Sequence, residues 1–358
     1  MKQILIILFA TLTFSAFAQE IQPIRPQFVR RFDAEHPDVH DPVMARGEDG
    51  RYYIFGTGMG IATLSSADMK TWQLGHSVLS PIPQWARDSI RGYNGHTWAP
   101  DINRHGDHWY LYYSCSTFGK NGSAIGLATN KTLNPNSPDF KWEDQGPVIV
   151  SHQHKDAYNC INPNLIIDHK GTPWLTFGSF WDGIQIVRLQ KDLKTLDGKP
   201  KTISRRIGRK VTLAEIDNIA HYTIEGNDTI EAGENAVEAP FIIHHGKYYY
   251  LFVSFDYCCR GERSTYRTVV GRSKKVTGPY LDSRGLPMEK GGGDTLIGPN
   301  ADYYGVGHCA AYPFDGQWYF LSHAYEKAHN GQARLFLRKM HFTPDGWPVL
   351  ETPSNMVE

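Results

Sequence analysis

The sequence has 358 residues, 41% of them hydrophobic and 13% aromatic, which suffices for a large core and excludes a chain disordered by composition. Its 37 basic and 37 acidic side chains cancel, so charge favours neither nucleic acid nor an anionic membrane surface and suits a neutral ligand. Length alone would suggest two domains, but internal repeats argue for a single one over residues 19–358.

At the start of the chain, Met1-Lys2, the apolar run Ile4 to Ala10 and the small-x-small end Ala16-Phe17-Ala18 before Gln19 read as a cleavable signal peptide. Residues 1–18 are therefore expected to be absent from a mature protein that is periplasmic or secreted. No other run approaches the ~18 apolar residues of a membrane span.

Four stretches then share one pattern: a polar head, a proline, an apolar run, a turn with glycine and an aromatic-rich strand. The heads are His40-Asp41-Pro42, Trp98-Ala99-Pro100, Ile161-Asn162-Pro163 and Glu238-Ala239-Pro240. A fifth, Gly307-His308-Cys309-Ala310, keeps the frame with Ala310 in the proline's place. The heads recur at intervals of roughly 60 to 75 residues, a period suited to blades of several strands each. Second strands follow at Arg51–Gly56, His108–Tyr113, Pro173–Gly178, Lys247–Phe252 and Gln317–Leu321, and no stretch carries a helical period. The expected fold is all-β, a five-bladed β-propeller, whose closed ring protects its sheet edges.

Between the third and fourth units, the segment from Asp197 to Glu231 reads as an enlarged connection, with outer strands at Thr202–Ile207 and His221–Glu225. Asn121, Asn130 and Asn227 match glycosylation acceptors by short-motif coincidence alone. Five cysteines (Cys115, Cys160, Cys258, Cys259 and Cys309) leave at least one unpaired and read as small buried side chains. The adjacent pair Cys258-Cys259 would bridge only with strain.

In a propeller the innermost strands run along the central axis, so equivalent strand starts meet at one end of the ring. Asp41, Asn162, Glu238 and His308 are thereby expected around one pocket. Two carboxylates across a neutral ligand suit glycoside hydrolysis, in which an acid protonates the leaving oxygen and a base activates water. Glu238, beside Val237 and Ala239-Pro240, has the less polar neighbours expected of the acid, and Asp41, beside His40, is the expected base.

The motifs Val39-His-Asp-Pro42, Trp98-Ala-Pro-Asp-Ile102, Tyr158-Asn-Cys-Ile-Asn-Pro-Asn164, Gly178-Ser-Phe-Trp-Asp-Gly-Ile184, Glu238-Ala-Pro240, Phe252 through Gly261 and Gly305-Val-Gly-His308 together resemble the arabinan endo-1,5-α-L-arabinosidases of glycoside hydrolase family 43. The resemblance spans residues 37 to 345. It implies internal cleavage of α-1,5-linked L-arabinan with inversion, Asp41 acting as general base and Glu238 as general acid. It also implies a third carboxylate that keeps the acid protonated, at the position of Asn162. This chain departs there, with Asn159-Cys-Ile-Asn162-Pro163 in place of Asn-Ala-Ile-Asp-Pro. An amide keeps the size of a carboxylate without its charge, so activity should be weakened or shifted to lower pH. Asp156, six residues upstream, is a candidate replacement carboxylate, with a loop offset of that length set against it.

His308, by resemblance, holds a calcium ion whose other ligands are mostly waters, although a lone histidine is also an ordinary wall residue. The sugar-binding set implied is Asp41, Trp98, Phe118, Gly119, Asn159, Asn162, Ser179, Phe180 and Trp181, in which the aromatics supply stacking faces. Tyr52, Trp109, Tyr112, Trp174 and Trp318 read as blade core, and Arg260 as either a carboxylate partner or a clamp on the Cys258-Cys259 loop. Expected partners are plant cell-wall arabinan and its oligosaccharides, bound by a monomer. Two alternatives stay open: a catalytically impaired propeller that binds arabinan oligosaccharides, and an exo-acting arabinofuranosidase or xylosidase on the same fold.

Overall fold

The computed structural model describes residues 32–206 and 235–352. The signal-peptide reading of residues 1–18, the strand expected at His221–Glu225 and Asn227 lie outside the described residues.

The fold is a five-bladed β-propeller, and each blade is an antiparallel meander that begins at a head and steps outward. The inner strands are Val43–Arg46, His96–His105, Asn164–Ile167, Val237–His245 and Tyr303–Phe314. Second strands follow at Tyr52–Gly56, His108–Cys115, Pro173–Phe177, Tyr248–Phe255 and Gln317–Glu326. These runs are rich in Tyr, Phe, Ile and Leu because both faces of a blade pack on neighbouring blades, which removes the usual polar face of a strand. Tyr112, Tyr249, Phe252 and Phe320 are accordingly buried in full. Among the described residues one short α-helix, Gln84–Ser89, interrupts the strands.

Ring closure is made by the chain start. Asp38 bridges Arg334 on the third strand of the fifth blade, the Leu335 amide donates to the Pro37 carbonyl at 3.0 Å, and Arg334 meets Asp33 at 3.1 Å.

The heads share a backbone feature that the proline pattern only hinted at. Asp41, Ala99, Asn162, Ala239 and His308 all have left-handed φ values, of 52, 44, 59, 57 and 55°. In blades two, four and five this residue and the next fall in a β-bulge, where the register jumps from Trp98 to Asp101, from Glu238 to Phe241 and from Gly307 to Ala310. Proline fits there because a bulged residue has no ladder partner for the N–H that proline lacks. The same geometry corrects the fifth repeat: Cys309, not Ala310, occupies the proline's place, and His308 is the counterpart of Asp41.

Left-handed φ costs a non-glycine residue about 1 kcal/mol or more, so each head needs a tether. The amides of four heads find one on the second strand of the preceding blade or, for Thr57, one residue past its end. Ala99 donates to Thr57 Oγ1 at 2.9 Å, Asn162 to Ser114 Oγ at 3.0 Å, His308 to Ser254 Oγ at 2.8 Å and Asp41 to His323 Nδ1 at 3.1 Å. The equivalent place in the third blade is Gly178, where φ is 131° and a Cβ would lie 2.4 Å from the Gly183 carbonyl oxygen, so no side chain can stand there.

Candidate active site

Asp41 is held from three directions. His40 Nδ1 and His308 Nδ1 lie 2.8 and 2.9 Å from Oδ1, and Thr57 donates to Oδ2 at 2.5 Å. Burial alone would push this carboxyl up, but His308 and His40 outweigh it and hold Asp41 well below the ordinary carboxylate range. It is therefore an ionised, hydrogen-bonded acceptor, the state a base requires. Burial and the neighbouring His40 keep His323 neutral. Because its Nδ1 accepts the Asp41 amide, its proton sits on Nε2, which is buried with no hydrogen-bond partner.

Glu238 precedes the left-handed residue of its head and, at 8% exposure, is as buried as Asp41. It compensates for the gap at Gly178: the next residue, Ser179, bridges Glu238 through the backbone and places Oγ 2.7 Å from Oε2. Tyr266, fully buried, donates to Oε1 at 2.9 Å. Glycines of the fifth inner strand make room for that ring, since a Cβ on Gly307 would lie 2.3 Å from Tyr266 Cδ1. Tyr266 stacks on His323 at 5.7 Å between centroids, and His323 stacks on His40 at 3.8 Å. One run of rings thus passes from the Glu238 hydroxyl partner to the imidazole partner of Asp41, and burial together with Glu238, Cys258 and Asp41 drives the Tyr266 phenol far above its usual range. Both carboxylates therefore stand at the same end of the ring.

Asn162 heads the blade next to that of Glu238 and is 5% exposed. Its Nδ2 is buried with no hydrogen-bond partner, an amide donor at the place where the family pattern has a charged acceptor. Asp156, the replacement carboxylate considered from the sequence, has its Oδ2 engaged by the amide and ring of His152 at 2.7 and 3.1 Å.

His308 Nδ1 is engaged by Asp41, which leaves Nε2 as the nitrogen that could face a metal. A carboxylate-oriented imidazole is a sound metal ligand, but one nitrogen fits a hard cation only if that ion keeps most of its water. His40, Asp41 and His323 also cluster within 4.8 Å, yet their facing nitrogens are committed to Asp41.

The sugar-binding residues expected from the sequence separate into groups. Phe118 is 77% exposed and adjoins Gly119, which has open space around it. Trp98 is half-buried and donates from Nε1 to His96 Nδ1 at 2.9 Å, and half-buried Phe180 lies against Tyr257 at 6.0 Å. Trp181 differs: at 6% exposure it is wall and presents no free face. Asn159 is buried and accepts from Ser123 Oγ at 2.7 Å, so its side chain braces the loop below the cleft. Arg260 lies over the Tyr257 ring at 4.0 Å, which makes it a loop clamp. Asn121 and Asn130 are 1 and 2% exposed, which excludes both as glycan acceptors in the folded chain. Cys259 is exposed, against the expectation of five buried thiols.

Thr57, His323 and Tyr266 escaped the sequence reading. Thr57 and His323 occupy the same place at the ends of second strands, and aligning those ends as well as the prolines would have exposed them. Tyr266 follows the short 3-10 turn Gly261–Arg263 and lies outside the repeated heads and second strands.

Glycosyl hydrolases family 43 matches the chain over residues 36–348. The chain is 45% identical over 320 residues to an extracellular exo-α-(1→5)-L-arabinofuranosidase of Cellvibrio japonicus, covering 89% of this chain and 88% of the relative. It is 35% identical over 314 residues to an extracellular endo-α-(1→5)-L-arabinanase of Bacillus subtilis, covering 87% of each. Among solved structures, an exo-1,5-α-L-arabinanase from a bovine ruminal metagenomic library aligns with a TM-score of 0.82 at 58% identity, over 90% of this chain and 100% of that one.

Proposed function

Because the chain belongs to glycosyl hydrolase family 43 and is an enzyme of that family, we propose that it hydrolyses α-1,5-linked L-arabinan and its oligosaccharides from a chain end. The observation carrying this reading is the pair of buried carboxylates, Asp41 and Glu238, joined through Tyr266, His323 and His40 at one end of the propeller. The sequence motifs put internal cleavage first. Relatives of 58 and 45% identity are named exo-acting, against 35% for the endo-acting one, and they support moving cleavage to the chain end.

In this reading the ionised Asp41 takes the proton of a water attacking the anomeric carbon, and Glu238 gives its proton to the departing glycosidic oxygen, with inversion. Ser179 and Tyr266 meet Glu238 through hydroxyls, which can donate or accept, so both contacts survive proton transfer. The Asn162 amide donor meets a sugar oxygen but adds no charge to hold the acid protonated, so turnover is slower, or optimal at lower pH, than with aspartate there. Phe118, Trp98 and Phe180 offer faces for sugar rings.

We also propose that His308 binds calcium through Nε2. Such an ion would supply positive charge and ordered water near the sugar, while His308 itself orients Asp41. Calorimetric titration of calcium into chelator-treated protein should show binding that is lost in His308→Ala. Export after Ala18 agrees with the extracellular relatives and would appear as an N-terminus at Gln19.

Product analysis on linear arabinan tests the main reading. A single short oligosaccharide from the first minutes supports chain-end attack, a ladder of sizes supports the endo-acting alternative, and no product with retained oligosaccharide binding leaves a binding propeller.

A further inference from the structure

Cys259 lies in the turn after the second strand of the fourth blade, with a left-handed φ of 61°. Its Sγ is 3.8 Å from His40 Nε2, and its amide donates to the Tyr325 hydroxyl at 2.7 Å. That hydroxyl lies 2.9 Å from the same His40 nitrogen. The opposite nitrogen of His40 holds Asp41 Oδ1 at 2.8 Å, so an exposed thiol stands two contacts from the proposed base.

The five thiols are not alike. Cys115, Cys160 and Cys309 are buried, and burial pushes all three up, Cys115 to about 12. Cys258, half-buried, is pushed up by its hydrogen bond with Cys259. Cys259 moves the other way, to about 6, through that hydrogen bond and then through His40. The titratable groups facing it are Cys258, His40, Tyr325 and, behind His40, Asp41. Accessibility and thiolate character together select a reactive cysteine, whereas burial makes the other thiols inert.

We propose that Cys259 is a thiol-modification site at the edge of the cleft, taking small disulfides of the glutathione or cystine class, and that the adduct disturbs the His40 contact to Asp41. The Cys259 thiolate attacks one sulfur of R–S–S–R, the Cys259–S–S–R bond forms, and R–S⁻ leaves to be protonated by water. One protein thiol is oxidised and half of the disulfide is reduced, and excess thiol reverses the exchange. His40 is already stacked on His323 at 3.8 Å and tied to Tyr325, so volume added at Sγ, 3.8 Å from His40 Nε2, would crowd the Tyr325–His40 contact. This inference does not depend on which arabinan linkage is cut or from which end.

The folded protein is incubated with oxidised glutathione, the adduct is mapped by peptide mass, and turnover of linear arabinan is followed alongside. One glutathione on Cys259 is expected, with a fall in kcat/KM of about tenfold that dithiothreitol restores. Cys259→Ser should keep the basal rate and lose the sensitivity. Should the protein show no turnover, arabinooligosaccharide affinity by calorimetry replaces it as the second readout, while the mass shift still reports the thiol. No adduct, an adduct on another cysteine, equal inhibition of Cys259→Ser, or full modification with rate and affinity unchanged would each overturn the proposal.

Discussion

Asp41 and Glu238 stand in contrasting surroundings. The seam between the fifth and first blades surrounds Asp41 with two imidazoles and a hydroxyl, so its ionisation is fixed by nearby N–H groups. At the seam between the third and fourth blades, the hydrogen-bond partners of the Glu238 carboxylate among the described residues are the hydroxyls of Ser179 and Tyr266, and the adjoining head offers the unpartnered side-chain amide of Asn162. The proposed base half is held by charge and the proposed acid half by neutral groups, so one substitution can change the electrostatics around Glu238 far more readily.

The largest effect should come from the acid itself. Glu238→Ala is expected to lower kcat on linear arabinan about a thousandfold while leaving oligosaccharide affinity within a small factor, read by reducing-sugar release and calorimetry. Turnover persisting near the parent rate would remove Glu238 from its proposed role. Asn162→Asp comes next and acts by addition. A second negative charge on the neighbouring head opposes loss of the acid's proton, so the alkaline limb of kcat/KM against pH should move upward and the rate near neutrality rise about tenfold. An unchanged profile would mean that the amide is not what limits the acid half.

Tyr266→Phe removes one hydroxyl without emptying the ring's seat against Gly307. The expected fall in kcat is about fivefold to tenfold with KM held, the signature of a positioning residue and not of a sugar contact. The smallest effect belongs to the base half and concerns stability. His40 is raised from 6.5 to about 10, because Asp41 and Cys259 outweigh the burial that would lower it. A group raised on folding contributes stability that is complete below its unfolded value and is lost as pH rises through the folded one. The gap in melting temperature between parent and His40→Gln should thus be widest below pH 6.5 and close as pH approaches 10. A gap that widened toward alkaline pH would contradict the His40–Asp41 pairing.

The propeller was legible in the sequence because a blade repeats its physics: a proline tolerated at a bulge, an apolar inner strand, then an aromatic second strand. The head positions of Asp41, Asn162, Glu238 and His308 came with it, since a repeated head fixes where its residues stand along the chain. Two kinds of information were not legible. His308 lacks the proline that marked the other heads, so the fifth repeat read one residue late. The residues that hold the carboxylates, Thr57, Tyr266 and His323, differ in type from blade to blade, and only folding brings their partners within reach. Trp181 shows the converse, an aromatic that reads as a platform and packs as wall.

The most direct test of the central claim, that Asp41 and Glu238 work from opposite sides of one bond, is the anomeric configuration of the first sugar released. Proton NMR during the first turnovers of linear arabinan should show the β-anomer before mutarotation, because a water activated by Asp41 attacks the face opposite the leaving group. First appearance of the α-anomer would require a covalent intermediate and would contradict the assignment of Asp41 as a base.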